Sequence, residues 1–517
     1  GIITLVKVEQ LMLTSNLYAA TQIKQSEETA ANRAGITLYE LMERAGQAAF
    51  ERVQFMLPNL GRILVCCGSG NNGGDGFVVA RLALEAGYDV DVFQPEYCIR
   101  KNISPLSDCQ KARHKWSTYN KSVLNTIEGD KQYDLIVDAL LGTGLANNVR
   151  DNLAADISQI NALNTPILSL DIPSGLHADS GAILGTAIKA SCTVTFVGNK
   201  MGLVTGQARN VVGSLYVADL GIFPYFTHLE PTQVSVFTQS NAVALIPQRE
   251  ATAHKGNTGR ALLVGGNKGM SGAIIMAGQA CARVGAGLIT VMTHSNSIPP
   301  LLMRQPELMS IAVERGDLQH IETLINPNTL ARTGAIAIGP GLGMTAWSKA
   351  LFNWVMATKT PKIIDADGLN FLAASRKVFD LRNSIITPHP AEAARLLGVT
   401  VADIENDRYG GLHQLQTKYQ CVVLLKGAGT LISDGQEIKV INAGNSGMAT
   451  GGMGDILTGV ITGLVCQGLP AMQAACLGAW LHSTAADNSA SAYGSIGMLA
   501  SDLLPELRLL MNPNNNK

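Results

Sequence analysis

From residue 1 to about 57, apolar residues recur at helical spacing, with Leu38, Leu41, Met42, Ala45 and the pair Ala48-Ala49 three or four apart. Beyond that point the texture changes. Short apolar runs ending in Gly, Asp or Ser alternate with helical segments, and the spacing predicts strands over 62–67, 89–93, 135–141, 166–171, 193–197 and 214–220. This alternation is the mark of βαβ units and a largely parallel sheet, which binds ligands beyond the carboxyl ends of its strands. Residues 223–249 hold three prolines and no sustained period, so a domain junction is expected there, with bounds of 1–227 and 228–517. A second series predicts strands over 260–264, 288–292, 335–338, 362–364, 384–387 and 422–425. Helices are expected from Asp455 to about Val465, from Ala471 to about Ala486 and from Met498 to Met511. Both halves read as α/β, and no register superposes them.

Composition narrows the function classes. Of the 517 residues, 46% are hydrophobic and 15% charged, and the net charge is −1 with Lys and Arg scattered, so the broad basic footprint of a nucleic-acid binder is excluded. The nine cysteines include no CxxC pair; Cys66, Cys192, Cys281 and Cys421 lie in apolar runs and read as small buried hydrophobes. The nine histidines form no HExxH and no zinc-like spacing. No charged leader with an apolar core opens the sequence, and no apolar run reaches the roughly 18 residues of a membrane span. The expectation is a cytoplasmic protein acting on small molecules, with no membrane partner.

The stretch "CGSGNNGGDGF" (67–77) contains a dinucleotide fingerprint, Gly68-x-Gly70-x-x-Gly73. A cofactor-binding loop of that kind requires an acidic residue about 20 positions later, at the end of the next strand, to hold ribose hydroxyls. Here that strand ends at Phe93 and is followed by Gln94-Pro95, so the expected acid is missing. Asn71, Asn72 and Asp75 add oxygens suited to a cation beside backbone amides suited to phosphate. A tight turn without ligand is the alternative. Two more strand ends carry carboxylates: "IVDALLGTGL" holds Asp138, and "LSLDIPSGL" holds Asp171 and Ser174. Asp138 alone also fits a helix N-cap.

In the second half, "NAGNSGMATGGMGDILTGVITGLV" (442–465) places Gly451, Gly452 and Gly454 before a helix expected at Asp455. Free amides and the positive helix end converge there beside one carboxylate, an arrangement suited to phosphoryl transfer with Asp455 as base. The helix end is expected to favour the ionised form. An N-cap without catalytic duty is the alternative. No GxxxxGK[ST] occurs, so this is not a P-loop. His389, between two prolines, equally fits a packed histidine, and Lys255 and Lys426 fit solvated lysines, although each lysine adjoins a glycine.

"NNGGDG", "VDALLGTGL", "DIPSG" and "TFVGNKMGL" resemble the epimerase domain of the bifunctional NAD(P)H-hydrate repair enzymes over roughly residues 15–225. "HKGNTGRALLVGG", "GPGLG", "DADGLN", "TPHPAEAARL", "LLKGAGT" and the Gly-x-Gly-Asp stretch resemble that family's dehydratase, a ribokinase-like domain, over about 235–510. The resemblance implies a Rossmann-like three-layer α/β domain followed by a ribokinase-like α/β domain. It implies as substrates NADH and NADPH hydrated at C6 of the nicotinamide ring. The first domain would interconvert R and S hydrates, and the second would use ADP to dehydrate the S form, giving AMP and phosphate. By the same resemblance Asn72, Asp138 and Ser174 match potassium ligands; Asn71, Asn72, Gly73, Gly74, Asp75, and Gly142, Thr143, Gly144 and Leu145 of the turn running to Asn148, match substrate contacts. Asp171 falls beside the reacting ring. The family would expect arginine or a small residue after Gly144, where Leu145-Ala146-Asn147-Asn148 stands. Asp455 takes the base position; Ala273, Gly341 and His389 match hydrate contacts; Lys426, Gly427, Ala428, Gly429, Thr430 and Gly454 match nucleotide contacts. A magnesium ion in the dehydratase and a homotetramer or larger assembly are also implied. The competing reading is a ribokinase-like kinase for a hydroxymethylpyrimidine-type compound, fused to a non-catalytic nucleotide-binding module.

Overall fold

The computed structural model describes residues 2–101 and 104–515. The chain divides into two compact units, residues 1–235 and 236–517.

The first unit is built on a sheet of β1 (Arg62–Cys67), β2 (Asp89–Phe93), β3 (Val123–Leu124), β4 (Leu135–Ala139), β5 (Ile167–Leu170), β6 (Cys192–Phe196) and β7 (Ser214–Ala218). All neighbouring strands are parallel, in the order β3-β2-β1-β4-β5-β6-β7. Successive residues of β1 and β4 enter different cores: Ile63, Val65 and Val137 join one apolar cluster, and Leu64, Cys66 and Ile136 join another. Both faces are therefore covered, which explains why these strands read as continuous apolar runs. The strand order reverses between β1 and β4, and a crevice at that point is where an open α/β sheet binds ligands. Helices α1 (Leu38–Met56), α2 (Asn71–Glu85) and α3 (Asp108–Ser117) belong to this unit. Thr37 caps α1, its hydroxyl accepting from the Glu40 amide while Glu40 accepts from the Thr37 amide.

The second unit is built on a ten-stranded sheet whose edge strand, β8 (Val234–Val236), begins two residues before the division between the units. The other strands are β9 (Arg260–Val264), β10 (Leu288–Thr293), β11 (Met309–Ala312), β12 (Ala335–Ile338), β13 (Lys362–Ile364), β14 (Ile385–Ile386), β15 (Val422–Leu425), β16 (Thr430–Ser433) and β17 (Ile438–Ile441). The order is β8-β17-β16-β15-β14-β13-β12-β9-β10-β11; the pairs β15–β16 and β16–β17 are antiparallel, and those from β15–β14 to β10–β11 are parallel. The helices that matter for the site are α4 (Ser271–Arg283), α5 (Asp367–Ala374), α6 (Pro390–Leu397), α7 (Met453–Cys466) and α8 (Ala471–Tyr493).

The expected junction is more ordered than its sequence pattern. It holds helices at Phe223–Leu229 and Gln239–Leu245, the first with Pro224 in its opening turn. Residues 228–235, assigned from sequence to the second domain, lie in the first unit. Glu230 accepts hydrogen bonds from Gln25 and Ser26, and the Thr232 hydroxyl donates to the Leu17 carbonyl. Cys66, Cys192, Cys281 and Cys421 are buried free thiols. Among the described residues, no helix is long and apolar enough to cross a membrane.

Candidate functional site

Helix α2 begins at Asn71, so the stretch expected as a loop forms its first turns. Its glycines permit close approach: a Cβ on Gly73 would lie 2.1 Å from the Gly68 carbonyl, and one on Gly76 2.6 Å from the Ala139 Cβ. This brings Asn72 to the carboxyl edge of the sheet, where its Nδ2 donates to the Leu170 carbonyl at 2.6 Å. Its Oδ1 is buried without a hydrogen-bond partner among the described residues. Asp138, at the end of β4, is buried and fully engaged. Its oxygens accept from the Ser174 hydroxyl (2.6 Å) and amide (2.9 Å), the Ser169 hydroxyl (2.7 Å) and the Leu140 amide (3.3 Å). Burial raises its pKa, and those donors oppose the rise. The Ser174 Oγ also accepts from the Leu141 amide, tying the β5 end to the turn before Gly142.

Asp171 follows β5 with a positive φ of 68°. Its Oδ1 accepts from the Thr195 hydroxyl, the Phe196 amide and the Lys200 ammonium, the last at 2.8 Å. The Lys200 side chain is 1% exposed and also donates to the Phe196 carbonyl. Two further carboxyls feel this pair. Burial, then Asp171 and Glu27, push Asp75 well above the usual carboxylate range; burial, then Asp171, push Glu27 up to about 7. Lys200 opposes both rises. Neither Glu27 nor Lys200 was singled out from sequence. Lys200 lay inside the quoted "TFVGNKMGL", whereas Glu27 gave no signal. Of the expected turn contacts, Gly142 packs beside the Asn72 side chain and Gly144 lies in open space. Leu145 packs against an apolar cluster, so its side chain serves the core.

In the second unit, a cleft of about 450 Å³ gathers Ala273 of α4, Gly341 after β12, His389, Glu392 of α6 and Asp455 of α7. Helix α7 starts at Met453, two residues before its expected start, because Gly452 adopts a φ of 90° and caps it. Asp455 thus sits inside the first turn. Burial and the neighbouring Asp365 raise it to about 6, with Lys426 opposing, so the expected preference for the ionised form is outweighed. The Lys426 ammonium donates to Asp365 at 2.9 Å, and the Thr458 hydroxyl donates to the other Asp365 oxygen. A Cβ on Gly454 would lie 3.2 Å from that ammonium, which places the charge beside the head of α7. Lys426 to Gly429 form the turn between β15 and β16, and Thr430 opens β16; the buried Arg408 guanidinium packs under Gly427 and donates to the Lys426 carbonyl.

His389 caps α6: its Nδ1 accepts from the Glu392 amide, and Glu392 accepts from the His389 amide. Burial and Lys426 lower the His389 pKa, while burial and Asp365 raise Glu392 to about 7. Asp365 lay within the quoted "DADGLN" without a role. Its partner stands 61 positions away, a separation that no local pattern reveals.

Each unit therefore places polar and charged groups at the carboxyl edge of an open α/β sheet, the construction of an enzyme with two sites. Residues 38–202 match the family described as the YjeF-related protein N-terminus, and residues 261–508 match NAD(P)H-hydrate dehydratase. The chain is 45% identical over 505 residues to the bifunctional NAD(P)H-hydrate repair enzyme Nnr of Vibrio cholerae, covering 97% of this chain and 99% of that one. It is 41% identical over 511 residues to the enzyme of the same description from Escherichia coli, covering 98% and 96%. Among solved structures, a ribokinase-like superfamily protein of Enterococcus faecalis aligns at 29% identity with a TM-score of 0.50, over 54% of this chain and 96% of that one. The chain belongs to the family of bifunctional NAD(P)H-hydrate repair enzymes.

Proposed function

We propose that the first unit interconverts the R and S hydrates of NADH and NADPH, and that the second dehydrates the S hydrate with ADP as co-substrate. The observation that carries this reading is Asp455, held at the head of α7 in a cleft that also presents His389, with the Lys426 ammonium beside Gly454. Asp455 takes the proton of the C6 hydroxyl as that oxygen attacks the β-phosphorus of ADP, and AMP leaves. The amides at the start of α7 and Lys426 stabilise the charge on the phosphoryl group. Phosphate then departs from C6 and a proton from C5, restoring the ring double bond. The turn Lys426 to Thr430 and Gly454 hold the nucleotide; Ala273, Gly341 and His389 hold the hydrate. A magnesium ion, when bound, would offset the charge of the nucleotide phosphates held by Lys426 to Thr430 and Gly454.

In the first unit the hydrated carbon bears both oxygen and nitrogen, so inversion requires one of those bonds to open and re-form on the other face. Asp171, oriented by Lys200 and Thr195, takes the hydroxyl proton as C6–O becomes a carbonyl and the C6–N bond opens; the electron pair and that proton pass to the ring nitrogen, and reversal on the other face of the carbonyl re-forms the bond. Asn71 to Asp75 and the Gly142 turn cradle the dinucleotide. Asn72, Asp138 and Ser174 would hold a potassium ion, a reading supported by the buried Asn72 Oδ1, unpartnered among the described residues, and an all-oxygen donor set with one carboxylate. When bound, the ion supplies a fixed positive charge beside the substrate. The protein works in the cytoplasm as a homo-oligomer.

The test is incubation with mixed R and S hydrates, with and without ADP. ADP should restore the reduced-nicotinamide absorbance completely, because the R form feeds the S form. A stable phosphorylated product would replace this reading with a kinase.

A further inference from the structure

A second cavity, of about 100 Å³, lies in the first unit at the carboxyl end of β2, lined by Ser69, Gln94, Arg100, Gln110, Arg113 and His114 among others. Among the described residues no carboxylate lines it. Gln94 is 2% exposed and bonds in two directions: its Nε2 donates to the Gly68 carbonyl at 3.1 Å, and its Oε1 accepts from the Arg113 Nε at 2.9 Å. The amide therefore joins the glycine-rich stretch after β1 to an arginine on α3. This bond uses only Nε, and among the described residues the terminal guanidinium nitrogens take no hydrogen-bond partner.

In a sheet with this strand order, a dinucleotide crosses the reversal point with its pyrophosphate at the first helix start and its adenosine ribose at the end of the neighbouring strand. A carboxylate there accepts from both ribose hydroxyls, whereas an arginine there receives a 2′-phosphate. This chain has an amide in the place of the acid and an arginine held against it. The cavity has room for roughly three water volumes, which suits a phosphoryl group on a ribose and not a purine base. We propose that it is the subsite for the 2′-phosphate of the adenosine ribose, so that the first unit selects hydrated NADPH over hydrated NADH. The proposal rests on the reading that this unit acts on dinucleotide hydrates.

The experiment measures epimerisation of both hydrates by the full chain and takes the ratio of kcat/KM for hydrated NADPH to that for hydrated NADH. Arg113→Ala should lower this ratio by about tenfold to a hundredfold, the range for a hydrogen bond between charged groups. Gln94→Glu, which gives Arg113 an internal carboxylate partner and faces the phosphate with a negative charge, should lower it as well. Arg113→Lys should retain part of the selectivity. A ratio within about twofold of the parent in both Arg113→Ala and Gln94→Glu would overturn the proposal, since a lost charged contact is worth more than that. Calorimetry on the full chain, with ADP saturating the second unit, supplies a measurement independent of turnover. Adenosine 2′,5′-bisphosphate should bind more tightly than AMP in the parent and equally in Arg113→Ala; equal binding in the parent overturns the subsite. A parent that epimerises neither hydrate would refute the functional reading, and the calorimetric comparison would still decide what this cavity binds.

Discussion

The two sites use aspartate in opposite ways. Asp171 in the first unit is clamped by three donors, one of them a buried ammonium. Asp455 in the second takes no hydrogen-bond partner among the described residues, and the nearby ammonium of Lys426 is bound to Asp365 instead. A clamped carboxylate has a fixed direction. An unclamped one beside another carboxylate keeps a raised pKa and is a stronger proton acceptor once ionised. The comparison sets an oriented carboxylate in the first site against one with a raised pKa in the second.

Asp455→Asn gives the largest expected effect. Asparagine keeps the shape and the position in the first turn but cannot accept the hydroxyl proton, so ADP-dependent dehydration should fall about 10²- to 10⁴-fold. Chromatography of the same sample should show R/S interconversion continuing in the first unit. Near-parental dehydration with saturating ADP would place the base elsewhere.

Removing the clamp should be felt in stability. Asp171→Asn leaves the buried Lys200 ammonium without its counter-charge, and breaking a buried pair from one side costs about 3–5 kcal/mol. Urea denaturation followed in the first unit should register that loss. Asp455→Asn should show little of it, because there is no pair to break. Equal destabilisation by the two variants would erase the distinction drawn between them.

The same contrast has a pH signature. As the proposed base, Asp455 acts only when deprotonated, and burial with Asp365 pushes its pKa up to about 6. Dehydratase kcat/KM should therefore be level above that pH and fall as pH drops through it. Burial is the main cause of the raised pKa and Asp365 the second, so Asp365→Asn should move the acid limb to lower pH without returning it to the ordinary aspartate value. A limb that stays in place would mean that Asp365 does not act on Asp455.

The smallest effect concerns the boundary. A first unit ending at Thr227 loses the Glu230 and Thr232 bonds to residues 17–26, whereas one ending at Ser235 keeps them. The longer form should be more stable by about 1–3 kcal/mol, the value of a few hydrogen bonds at partly exposed positions. Equal thermal midpoints would show that those bonds contribute nothing.

Much of this architecture was legible because buried parallel strands are short apolar runs, and most of those runs became strands within two residues of their expected ends. The exceptions have physical reasons. Strands β16 and β17 carry polar residues such as Thr430 and Lys439 and lack an uninterrupted apolar run. The helix at Phe223–Leu229 was hidden by Pro224, which reads as a breaker but is tolerated in a helix's first turn. At the sites, Asp138, Asp171 and Asp455 could be picked out because each stands where an apolar run meets glycine. Their partners could not. The bonds from Lys200 to Asp171, from Lys426 to Asp365 and from Arg113 to Gln94 join residues 29, 61 and 19 positions apart. Such pairings are products of strand order.

The glycines that open α2 also carry a cost in local cohesion. Each glycine within a helix weakens it by about 0.5–1 kcal/mol relative to alanine, and Gly73, Gly74 and Gly76 fall within its first six residues. Asn72 to Phe77 are buried against the sheet, so packing and not helix propensity holds that turn. Occupancy of the neighbouring site should slow the exchange of its amides with solvent, making the start of α2 an internal reporter of ligand binding.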